Sequence, residues 1–426
     1  MKAVVLAAGE GRRLRPLTQT RPKHMIHVGG KPLLEHHLSS LRDAGVKEVL
    51  LIVNYKADQI KRHFGDGSSL GIKIEYAHQR EIRGTADAFG LAEDYVDGDF
   101  LATYGDLLIT PEVVRSALDL HSKNTPAATL TTVEVEHPEH YAVVKTAQNR
   151  VIGIVEKPPP GSIDSRQINA GVYIFSPEIF KAIKRTGKSP RGEQEITDSI
   201  RLLIESGEKV VVAKVSCEDW LDVGRPWDLL DANIRVLRRL KPEVLGKVED
   251  GAHIEGAVFV DEEARIRSGV YIEGPAYIGR ESDIGPNCYI RPYTSVGRKV
   301  RIGNAAEVKN SILMDDVHVG HLSYVGDSII GEGCNFGAGT ITANLRFDEK
   351  PVKMRIKGEI VNTHREKMGV VMGDYVKTGV GVLFMPGVKI GYNSWIGPNI
   401  VVSRDVPPNT VMILQQQIRR QIFEED

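Results

Sequence analysis

Residues 254–308 read IEGAVFVDEEARIRSGVYIEGPAYIGRESDIGPNCYIRPYTSVGRKVRIGNAAEV, and an aliphatic residue recurs there at every sixth position. The ten aliphatic residues are Ile254, Val260, Ile266, Ile272, Ile278, Ile284, Ile290, Val296, Ile302 and Val308. Neither an α-helix nor a flat strand has this period. A left-handed parallel β-helix does, because each of its coils has three faces of about six residues. The stretch therefore predicts a triangular prism into which each face points one aliphatic side chain.

The six-residue period is interrupted further along the chain. It slips after Met314, vanishes in a basic stretch, and resumes at Phe384. Because the period resumes, we expect the basic stretch to loop out of the prism rather than to end it. We predict a left-handed β-helix domain over residues 251–408, with a looped-out insertion at about 341–369. The tail over 409–426 has a sequence compatible with a short capping helix.

The first half of the chain alternates short apolar runs with helical patterns. The segments KAVVLAA, EVLLIVN, KIEYAH, FLATYGD, ATLTTVEV, VIGIVEK, AGVYIFS and KVVVAKV predict strands, and LLEHHLSSLRDAG and PEVVRSALDLH predict helices. This alternation predicts an α/β domain over residues 1–225, with a Rossmann-like, mostly parallel sheet and a ligand crevice at the carboxyl ends of its strands. A helix starting at Pro226 predicts a helical linker over 226–250.

Composition narrows the class of protein. The 426 residues carry a formal net charge of −1, which gives no indication of a nucleic-acid partner. No apolar stretch approaches the roughly 20 residues that span a bilayer. The three cysteines, Cys217, Cys288 and Cys334, are far apart, which argues against disulfides and structural zinc. We therefore expect a cytoplasmic protein without a membrane partner.

A glycine-rich segment follows the first predicted strand. Gly9 and Gly11 allow a tight turn that aims backbone N–H groups at an anion, and Arg12, Arg13 and Lys23 supply positive charge. The segment is neither a Walker A loop nor a dinucleotide fingerprint. Its spacing alone leaves open a purely structural turn.

Residues 6–32, LAAGEGRRLRPLTQTRPKHMIHVGGKP, resemble the signature of the sugar-1-phosphate nucleotidylyltransferases. The resemblance implies that Arg13 contacts the phosphates of a nucleoside triphosphate and that Lys23 lies near the scissile α-phosphate. It implies that the nucleotide is bound by Leu6, Ala8, Gly9, Gly11, Gln79, Gly84 and Thr85. Gln79 could pair with a pyrimidine imide edge, since an amide offers a donor and an acceptor side by side.

The same resemblance implies a metal site and a sugar-phosphate site. Asp106 and Asp222 match the family's Mg²⁺ ligands, and Mg²⁺ on phosphates typically takes one or two carboxylates. Glu156, Lys157 and Asn169 match its sugar-phosphate contacts. In this chemistry a sugar-phosphate oxygen attacks the α-phosphate in line, so catalysis is mainly positioning and charge stabilisation. Ala142 stands where the acetylglucosamine enzymes usually have a glycine, and RLRPLT is closer to the thymidylyl enzymes, so UTP and dTTP stay open as nucleotides.

A second set of candidate site residues lies where the six-residue period is interrupted. His321, Tyr324, Asn335 and the run Gly337–Thr340 resemble the acetyltransferase domain of the bifunctional N-acetylglucosamine-1-phosphate uridylyltransferase/glucosamine-1-phosphate acetyltransferases. The resemblance implies that His321 is a general base, a role typically worth ~10²–10⁴ in rate. It implies sugar-phosphate contacts from Arg291, Lys309, Tyr324, Asn335 and Lys350, and acetyl-CoA contacts from Ala338 and Asn344. It also implies a homotrimer, with His321 and Lys350 of one site on different subunits.

Three functional hypotheses follow. The first is a bifunctional enzyme that acetylates glucosamine-1-phosphate or galactosamine-1-phosphate with acetyl-CoA, then transfers uridylyl from UTP. The second is a single-function glucose-1-phosphate thymidylyl- or uridylyltransferase with a non-catalytic, trimerising β-helix. The third is a regulatory protein with dead sites. The third hypothesis is disfavoured because the charged residues of the nucleotidyl site are all present, namely Arg13, Lys23, Asp106 and Asp222. The set of His321, Tyr324 and Asn335 favours the first hypothesis over the second.

Overall fold

The computed structural model describes residues 1–159 and 161–422, and the chain divides into two compact units. The first unit comprises Met1–Gly11, Arg21–Ile26 and Lys31–Gly224. The second comprises Arg12–Thr20, His27–Gly30 and Arg225–Asp426. Two short segments near the N-terminus therefore group with the C-terminal half of the chain.

The N-terminal half alternates strands and helices. Its strands are β1 Lys2–Ala7, β2 His27–Val28, β3 Lys31–Pro32, β4 Glu48–Val53, β5 Lys73–His78, β6 Phe100–Tyr104, β7 Leu107–Ile109, β8 Ala128–Glu134, β9 Ala142–Ala147, β10 Arg150–Glu156, β11 Gln167–Phe175, β12 Val210–Lys214 and β13 Trp220–Asp222. The α-helices are α1 Leu33–Asp43, α2 Ala57–Phe64, α3 Thr85–Gly90, α4 Pro111–Asn124, α5 Glu178–Arg185, α6 Ile196–Glu205 and α7 Pro226–Arg238. Single 3₁₀ turns span Arg12–Leu14, Leu17–Gln19, Lys23–Met25, Ser68–Leu70 and Pro138–His140.

Nine strands of the first unit form one sheet in the order β5-β4-β1-β6-β11-β8-β12-β10-β9. All point the same way except β10 and β11, which run antiparallel to their neighbours. Alternate residues of β1 enter different cores, since Ala3 and Val5 pack in one apolar cluster and Val4 in another. A sheet covered on both faces explains why its central strands are continuous apolar runs. The predicted α/β fold is confirmed, including all eight predicted strands.

The second unit is a prism of three parallel sheets, which confirms the predicted β-helix. Ile254 pairs with Ile272, and Ile272 with Ile290, so one coil takes 18 residues. The ladder residues from Val260 to Val308 are buried in a single apolar cluster, and Ile254 packs against it. Each aliphatic residue thus stacks on its counterpart one coil away.

The strands of the prism lie on three faces. Face 1 comprises Glu243–Val244, Val258–Val260, Ala276–Ile278, Thr294–Val296, Ile312–Leu313, Ile329–Ile330, Val371–Met372 and Lys389–Ile390. Face 2 comprises Lys247–Val248, Arg265–Ile266, Asp283–Ile284, Arg301–Ile302, His318–Val319, Asn335–Phe336, Lys377–Thr378, Trp395–Ile396 and Val411–Met412. Face 3 comprises His253–Glu255, Tyr271–Glu273, Tyr289–Ile290, Glu307–Lys309, Tyr324–Gly326, Ile341–Thr342, Leu383–Phe384 and Val401–Val402.

The prism extends past both predicted limits. Its first strand, at Glu243–Val244, lies within the predicted linker over 226–250, and its last, Val411–Met412, follows the predicted end at 408. Val244 is 49% exposed, because the terminal coil has no coil beneath it to bury its side chains. The end coil therefore does not need an aliphatic residue at every sixth position. For this reason the six-residue period could not predict that the prism begins so early.

The period shortens at one corner of the prism, where face 3 turns into face 1. Leu313 pairs with Val296, so the step from Val308 to Leu313 takes five residues instead of six. The prediction of a slip after Met314 was wrong. Met314 is also buried, so the sequence offers two adjacent apolar side chains and the corner decides which one enters the core. That corner is tightened by Asn310, whose φ is 43°.

The insertion leaves the prism at this same corner. After Thr342 the chain departs, forms an antiparallel hairpin of Lys353–Ile356 and Glu359–Asn362, and returns to face 1 at Val371. The expected capping helix is not found in the described part of the tail, where Ile413 is 79% exposed. A short segment without a surface to pack on does not stabilise a helix. The last predicted tail residues, 423–426, lie outside the described residues.

Among the described residues, no helix is long and apolar enough to cross a membrane.

Candidate active sites

The glycine-rich segment lies at the carboxyl end of β1, close to Lys23. A Cβ placed on Gly9 would lie 4.0 Å from Lys23 Cε. Gly11 has a φ of 71°, a left-handed conformation that favours glycine. Hydrogen bonds fix the backbone before the glycines, since Leu6 O accepts from Gly105 N at 2.9 Å and Ala8 O from Tyr55 N at 3.3 Å. The predicted nucleotide-binding backbone is therefore held on both sides, with a cation beside it.

Lys23 forms an ion pair with Asp106, which lies between β6 and β7. Both side chains are only 15% exposed. Burial by itself would raise the pKa of Asp106, but the charge of the Lys23 ammonium and the hydrogen bonds to the carboxylate lower it, and the net shift is downward. Asp106 is thus an anion at neutral pH, as a metal ligand must be.

Asp222 is brought to the same region by a short antiparallel ladder. In that ladder Asp222 on β13 pairs with Leu107 on β7, and Val223 N donates to Asp106 O at 3.2 Å. The described residues contain no group of three or more metal-ligating side chains. Two carboxylates therefore fit Mg²⁺ only where phosphate oxygens and water complete its octahedral shell.

Two buried histidines close enough to feel the charge of Asp106 were not predicted from the sequence. His24 and His37 are fully buried, and burial lowers the pKa of His24 to about 3 and that of His37 to about 4. His37 Nδ1 lies 3.0 Å from Leu107 O. Both imidazoles are therefore neutral at neutral pH, and they add no competing charge near Asp106. His24 lies within the signature segment at residues 6–32, but nothing in the sequence indicated that its side chain is buried.

The predicted base-binding segment connects β5 to α3. Gln79 is buried, and its amide nitrogen bonds to Gly84 O and to the carboxylate of Asp87. The Thr85 hydroxyl accepts from Ile196 N at 2.9 Å. The structure therefore brings Gln79, Gly84 and Thr85 together, and it adds Asp87, which the sequence analysis did not single out.

The predicted sugar-phosphate residues lie on the mixed side of the sheet. Glu156, at the end of β10, accepts from Arg191 at 2.8 Å; burial and Glu195 raise its pKa more than Arg191 lowers it. Asn169, on β11, donates to Tyr173 OH at 2.6 Å. Lys157 follows Glu156 with a φ of 43°. Arg191 and Tyr173 were not predicted, because each is ordinary in its own sequence segment and meets the site only in the fold.

Arg13 lies in the Arg12–Thr20 segment, which groups with the second unit. The segment is attached there by Thr20, whose hydroxyl donates to Asp374 Oδ2 at 2.5 Å. Asp374 is buried and also accepts from Glu332 N at 2.8 Å. Arg13 itself is exposed.

At the shortened corner of the prism, a buried carboxylate collects several predicted acetyl-site residues. Asp327 is 2% exposed and accepts from Lys309 Nζ at 3.1 Å, Asn310 Nδ2 at 2.7 Å and Asn344 Nδ2 at 2.5 Å. Asn344 Nδ2 also lies 3.1 Å from Tyr324 OH. These side chains, which come from three successive coils, meet because the chain shortens and departs at this corner. We name Lys309, Asn310, Tyr324, Asp327 and Asn344 the corner cluster.

Arg291 lies on the same side of the prism, one coil before Lys309. It pairs with Glu307 at 2.9 Å and its guanidinium lies 5.7 Å from the centre of the Tyr289 ring. Both predicted phosphate-binding cations, Arg291 and Lys309, are thus matched by a carboxylate.

His321 lies at the other end of the Tyr324–Gly326 strand. It is exposed and lines a groove of about 400 Å³ together with Asn335, His318 and Arg301. Its carbonyl accepts from Gly339 N at 3.0 Å, next to Ala338. The structure therefore places His321, Asn335 and Ala338 at one corner of the prism and the corner cluster at the next.

Lys350 joins neither group within the described residues. It lies in the exposed start of the insertion, where its backbone N–H approaches Asp348 at 3.4 Å.

An α/β domain with a lysine–carboxylate pair near the glycine-rich segment after β1, followed by a prism of three parallel sheets, is the architecture expected of one class: a nucleotidyltransferase joined to an acyltransferase. Residues 2–239 match the nucleotidyl transferase family, and residues 272–385 match the GMPPB C-terminal domain. A solved structure described as a glucose-1-phosphate thymidylyltransferase from Bacillus anthracis covers 55% of this chain and 94% of its own, with 28% identity and a TM-score of 0.50.

Two full-length relatives narrow the class. The bifunctional protein GlmU of Methanocaldococcus jannaschii is 46% identical over 419 residues, 98% of each chain. The bifunctional sugar-1-phosphate nucleotidylyltransferase/acetyltransferase of Sulfurisphaera tokodaii is 41% identical, over 95% of this chain and 98% of its own. The chain belongs to this family of bifunctional nucleotidylyltransferase/acetyltransferases. The prediction of an enzyme with both activities is confirmed, and the two full-length relatives argue against the hypotheses of a single function or of dead sites.

Proposed function

We propose that the enzyme catalyses two consecutive steps toward UDP-N-acetylglucosamine. The first is N-acetylation of glucosamine-1-phosphate, or of its galacto epimer, by acetyl-CoA. The second is uridylyl transfer from UTP to the N-acetylated sugar phosphate, with release of pyrophosphate. The observation that carries the proposal is the corner cluster around Asp327, which supplies cationic and amide groups suited to an amino-sugar phosphate.

For acetyl transfer, His321 takes a proton from the sugar amine while the nitrogen attacks the thioester carbonyl. The C–N bond forms, the C–S bond breaks, and CoA leaves as the thiol after protonation. Arg291 and Lys309 bind the sugar phosphate. Burial and Asp327 raise the pKa of Tyr324, so its phenol stays protonated and can donate to the developing oxyanion.

For nucleotidyl transfer, the backbone at Gly9 and Gly11 and the side chain of Arg13 bind the triphosphate, and Lys23 stabilises charge at the α-phosphate. Asp106 and Asp222 would hold Mg²⁺, which when bound neutralises phosphate charge. Glu156, Lys157 and Asn169 orient the incoming sugar phosphate so that its oxygen lies in line with the leaving pyrophosphate.

We place acetyl-CoA against Ala338 and the coils that follow. A cavity of about 770 Å³ lies on those coils and is lined by Lys377, Trp395 and Asn399, among others. The Lys377 ammonium lies 5.9 Å from the centre of the Trp395 ring, so an apolar surface and a cation stand side by side. Such a surface suits a ligand with an adenine ring and phosphates.

We also propose a homotrimer in which neighbouring prisms complete each acetyl site. The outward side chains Ile341, Leu383 and Val401, which pair in register on successive strands of face 3, are all at least 39% exposed, and they form an apolar stripe that a second copy could cover. A neighbouring copy would also supply the Lys350 that is missing from the cluster. None of the three cysteines, all of which are described residues, forms a disulfide, as is usual in the cytoplasm, where we place the enzyme.

The test separates the two activities. His321→Ala should abolish CoA release from acetyl-CoA with glucosamine-1-phosphate or galactosamine-1-phosphate, and leave pyrophosphate release from UTP and N-acetylglucosamine-1-phosphate nearly intact. His253→Ala, an exposed histidine on a distant coil, should change neither. Wild-type enzyme that releases no CoA with either amino-sugar phosphate would refute the acetyl-transfer assignment, and a panel of UTP, dTTP and CTP scored for pyrophosphate settles the nucleotide.

A further inference from the structure

The backbone of Gln79 is fixed within the candidate base-binding segment. Its N–H donates to Val53 O at 3.0 Å, and its carbonyl accepts from Asn54 Nδ2 at 2.5 Å. The residue is 3% exposed. The position of its side chain therefore depends only on the groups that meet the amide.

Both hydrogens of the Gln79 amide are already used. Nε2 donates to Asp87 Oδ2 at 2.8 Å and to Gly84 O at 3.2 Å. A carboxylate and a carbonyl can only accept, so they determine which end of the amide is nitrogen. Among the described residues no donor reaches Oε1. Gln79 therefore presents a hydrogen-bond acceptor and no donor, unlike the paired donor and acceptor expected from sequence.

Asp87 is held where it can act on Gln79. It lies in the first turn of α3, where Ala86 N donates to Gln194 O at 2.9 Å and the Thr85 hydroxyl accepts from Ile196 N at 2.9 Å. Gly84, just before the helix, has a φ of 131°, and a Cβ there would lie 2.6 Å from Gln194 N. The turn is thus fixed on both sides, and the carboxylate cannot easily leave the amide.

We propose that Asp87 is a positioning residue that sets the nucleobase specificity of the transfer by fixing Gln79 as an acceptor. The proposal rests on the proposed function of Gln79 at the base. Uracil and thymine carry an N–H at ring position 3 and can donate to Gln79 Oε1. Cytosine has a lone pair at that atom and would face a second acceptor. The orientation therefore selects an imide base, and it does not distinguish UTP from dTTP, which share this N–H.

The expected discrimination between UTP and CTP is large because CTP would leave the buried Gln79 Oε1 without a hydrogen-bond donor. A site built to hydrogen-bond one substrate discriminates strongly against an analogue that lacks the matching group. Asp87→Asn retains the shape but removes this constraint. Its Oδ1 can accept from Gln79 Nε2, or its Nδ2 can donate to Gln79 Oε1, so only Gly84 O, at 3.2 Å from Nε2, still opposes a turned amide. We expect the ratio of kcat/KM for UTP to that for CTP to fall at least about tenfold in the variant.

The experiment measures pyrophosphate release with UTP and with CTP, using N-acetylglucosamine-1-phosphate as acceptor. Asp58→Asn, an exposed aspartate on α2, is the matched control and should keep the wild-type ratio. An unchanged ratio in Asp87→Asn would overturn the inference. Wild-type enzyme that uses no nucleotide at all would instead contradict the proposed function, so the two failures are distinguishable.

A measurement on the wild-type enzyme covers the case in which the variant does not fold. UTP methylated at ring nitrogen 3 has no N–H to donate to Gln79. We expect its kcat/KM to lie at least about a hundredfold below that of UTP, whereas methylation at ring carbon 5 should be tolerated. Use of the N3-methylated nucleotide at a rate close to that of UTP would overturn the inference.

Discussion

Asp327 is a buried carboxylate whose two oxygens hold Lys309, Asn310 and Asn344. Hydrogen bonds to a charged group contribute about 1.5–3 kcal/mol each, and an unpaired buried charge costs more than the bond itself. The carboxylate therefore fixes side chains that would otherwise have several rotamers open to them. Asp327 therefore affects the proposed substrate only by positioning the side chains that it holds.

Replacing Asp327 should loosen this arrangement without removing the groups that bind substrate. In Asp327→Asn, the Lys309 ammonium loses its ion-pair partner and Asn344 loses a charged acceptor. We expect the KM for glucosamine-1-phosphate in CoA release to rise about tenfold, with a smaller change in kcat, because positioning is lost before chemistry. Steady-state CoA release checks this, and pyrophosphate release should stay unchanged.

The exposed Asp316, on a neighbouring turn of the prism, offers the control. Asp316→Asn should keep the wild-type KM. If Asp327→Asn also keeps it, the corner cluster does not position the sugar phosphate.

For single residues, the sequence allowed us to predict which residues belong to the site but not which residues they contact. Lys309, Tyr324 and Asn344 were predicted one by one from their motifs, whereas Asp327 was not, although it lies in the same stretch. The coils are parallel and in register, so the contacts of the corner cluster form between residues 17 to 20 positions apart, and no local pattern marks such a contact. Asp87 was missed for a related reason, since its importance depends on which atom of Gln79 it meets.

The strands of the prism are short, and each contributes one inward side chain to a shared core. Ile302 is fully buried, whereas Arg301 beside it points away from the core and is exposed. Because a coil contacts only the coils next to it, a defect in one coil removes support from both neighbours.

Ile302→Ala should therefore lower the free energy of unfolding by about 3 kcal/mol, through lost burial and the cavity left behind. Arg301→Ala, on the same strand, should change it by about 0.5 kcal/mol or less. Urea unfolding followed by circular dichroism gives the comparison. Equal shifts of the urea midpoint in the two variants would mean that the coil is held by something other than its aliphatic ladder.

The elements themselves were largely predictable, because period and composition determine them. All eight predicted strands of the α/β domain are present, but β2, β3 and β9 were missed, as were the short strands β7 and β13. Those two strands have three residues each, too few to show a period, yet their pairing brings Asp222 beside Leu107. The site thus depends on the elements that sequence reasoning detects least well.

At the scale of the whole molecule, the proposed acetyl site is incomplete in one chain. Lys350 stands apart from the corner cluster, and face 3 carries the exposed apolar stripe. If a second copy completes the site, two variants that are each inactive should regain acetyltransferase activity when they form mixed oligomers.

His321→Ala and Lys350→Ala should each lose CoA release when pure. After the two proteins are mixed, unfolded and refolded together, a fraction of the sites should hold wild-type residues from both chains and regain activity. Mixing two preparations of His321→Ala is the control and should give none. No recovery from a mixture shown by sedimentation to contain mixed oligomers would mean that each chain holds a complete site.

The segment Arg12–Thr20 belongs structurally to the half of the chain that begins about 200 residues later. Leu14 and Leu17 are buried, and Thr20 is bonded to Asp374. A gene cut after Gly224 would therefore separate this segment from the rest of the unit to which it belongs, although the cut falls at an apparent boundary. The second unit is therefore discontinuous in sequence, since it combines Arg12–Thr20 and His27–Gly30 with the chain from Arg225 onward. Recombination could not readily exchange one half for a homologous one, and an evolutionary lineage carrying this arrangement would tend to keep the fusion once it had formed.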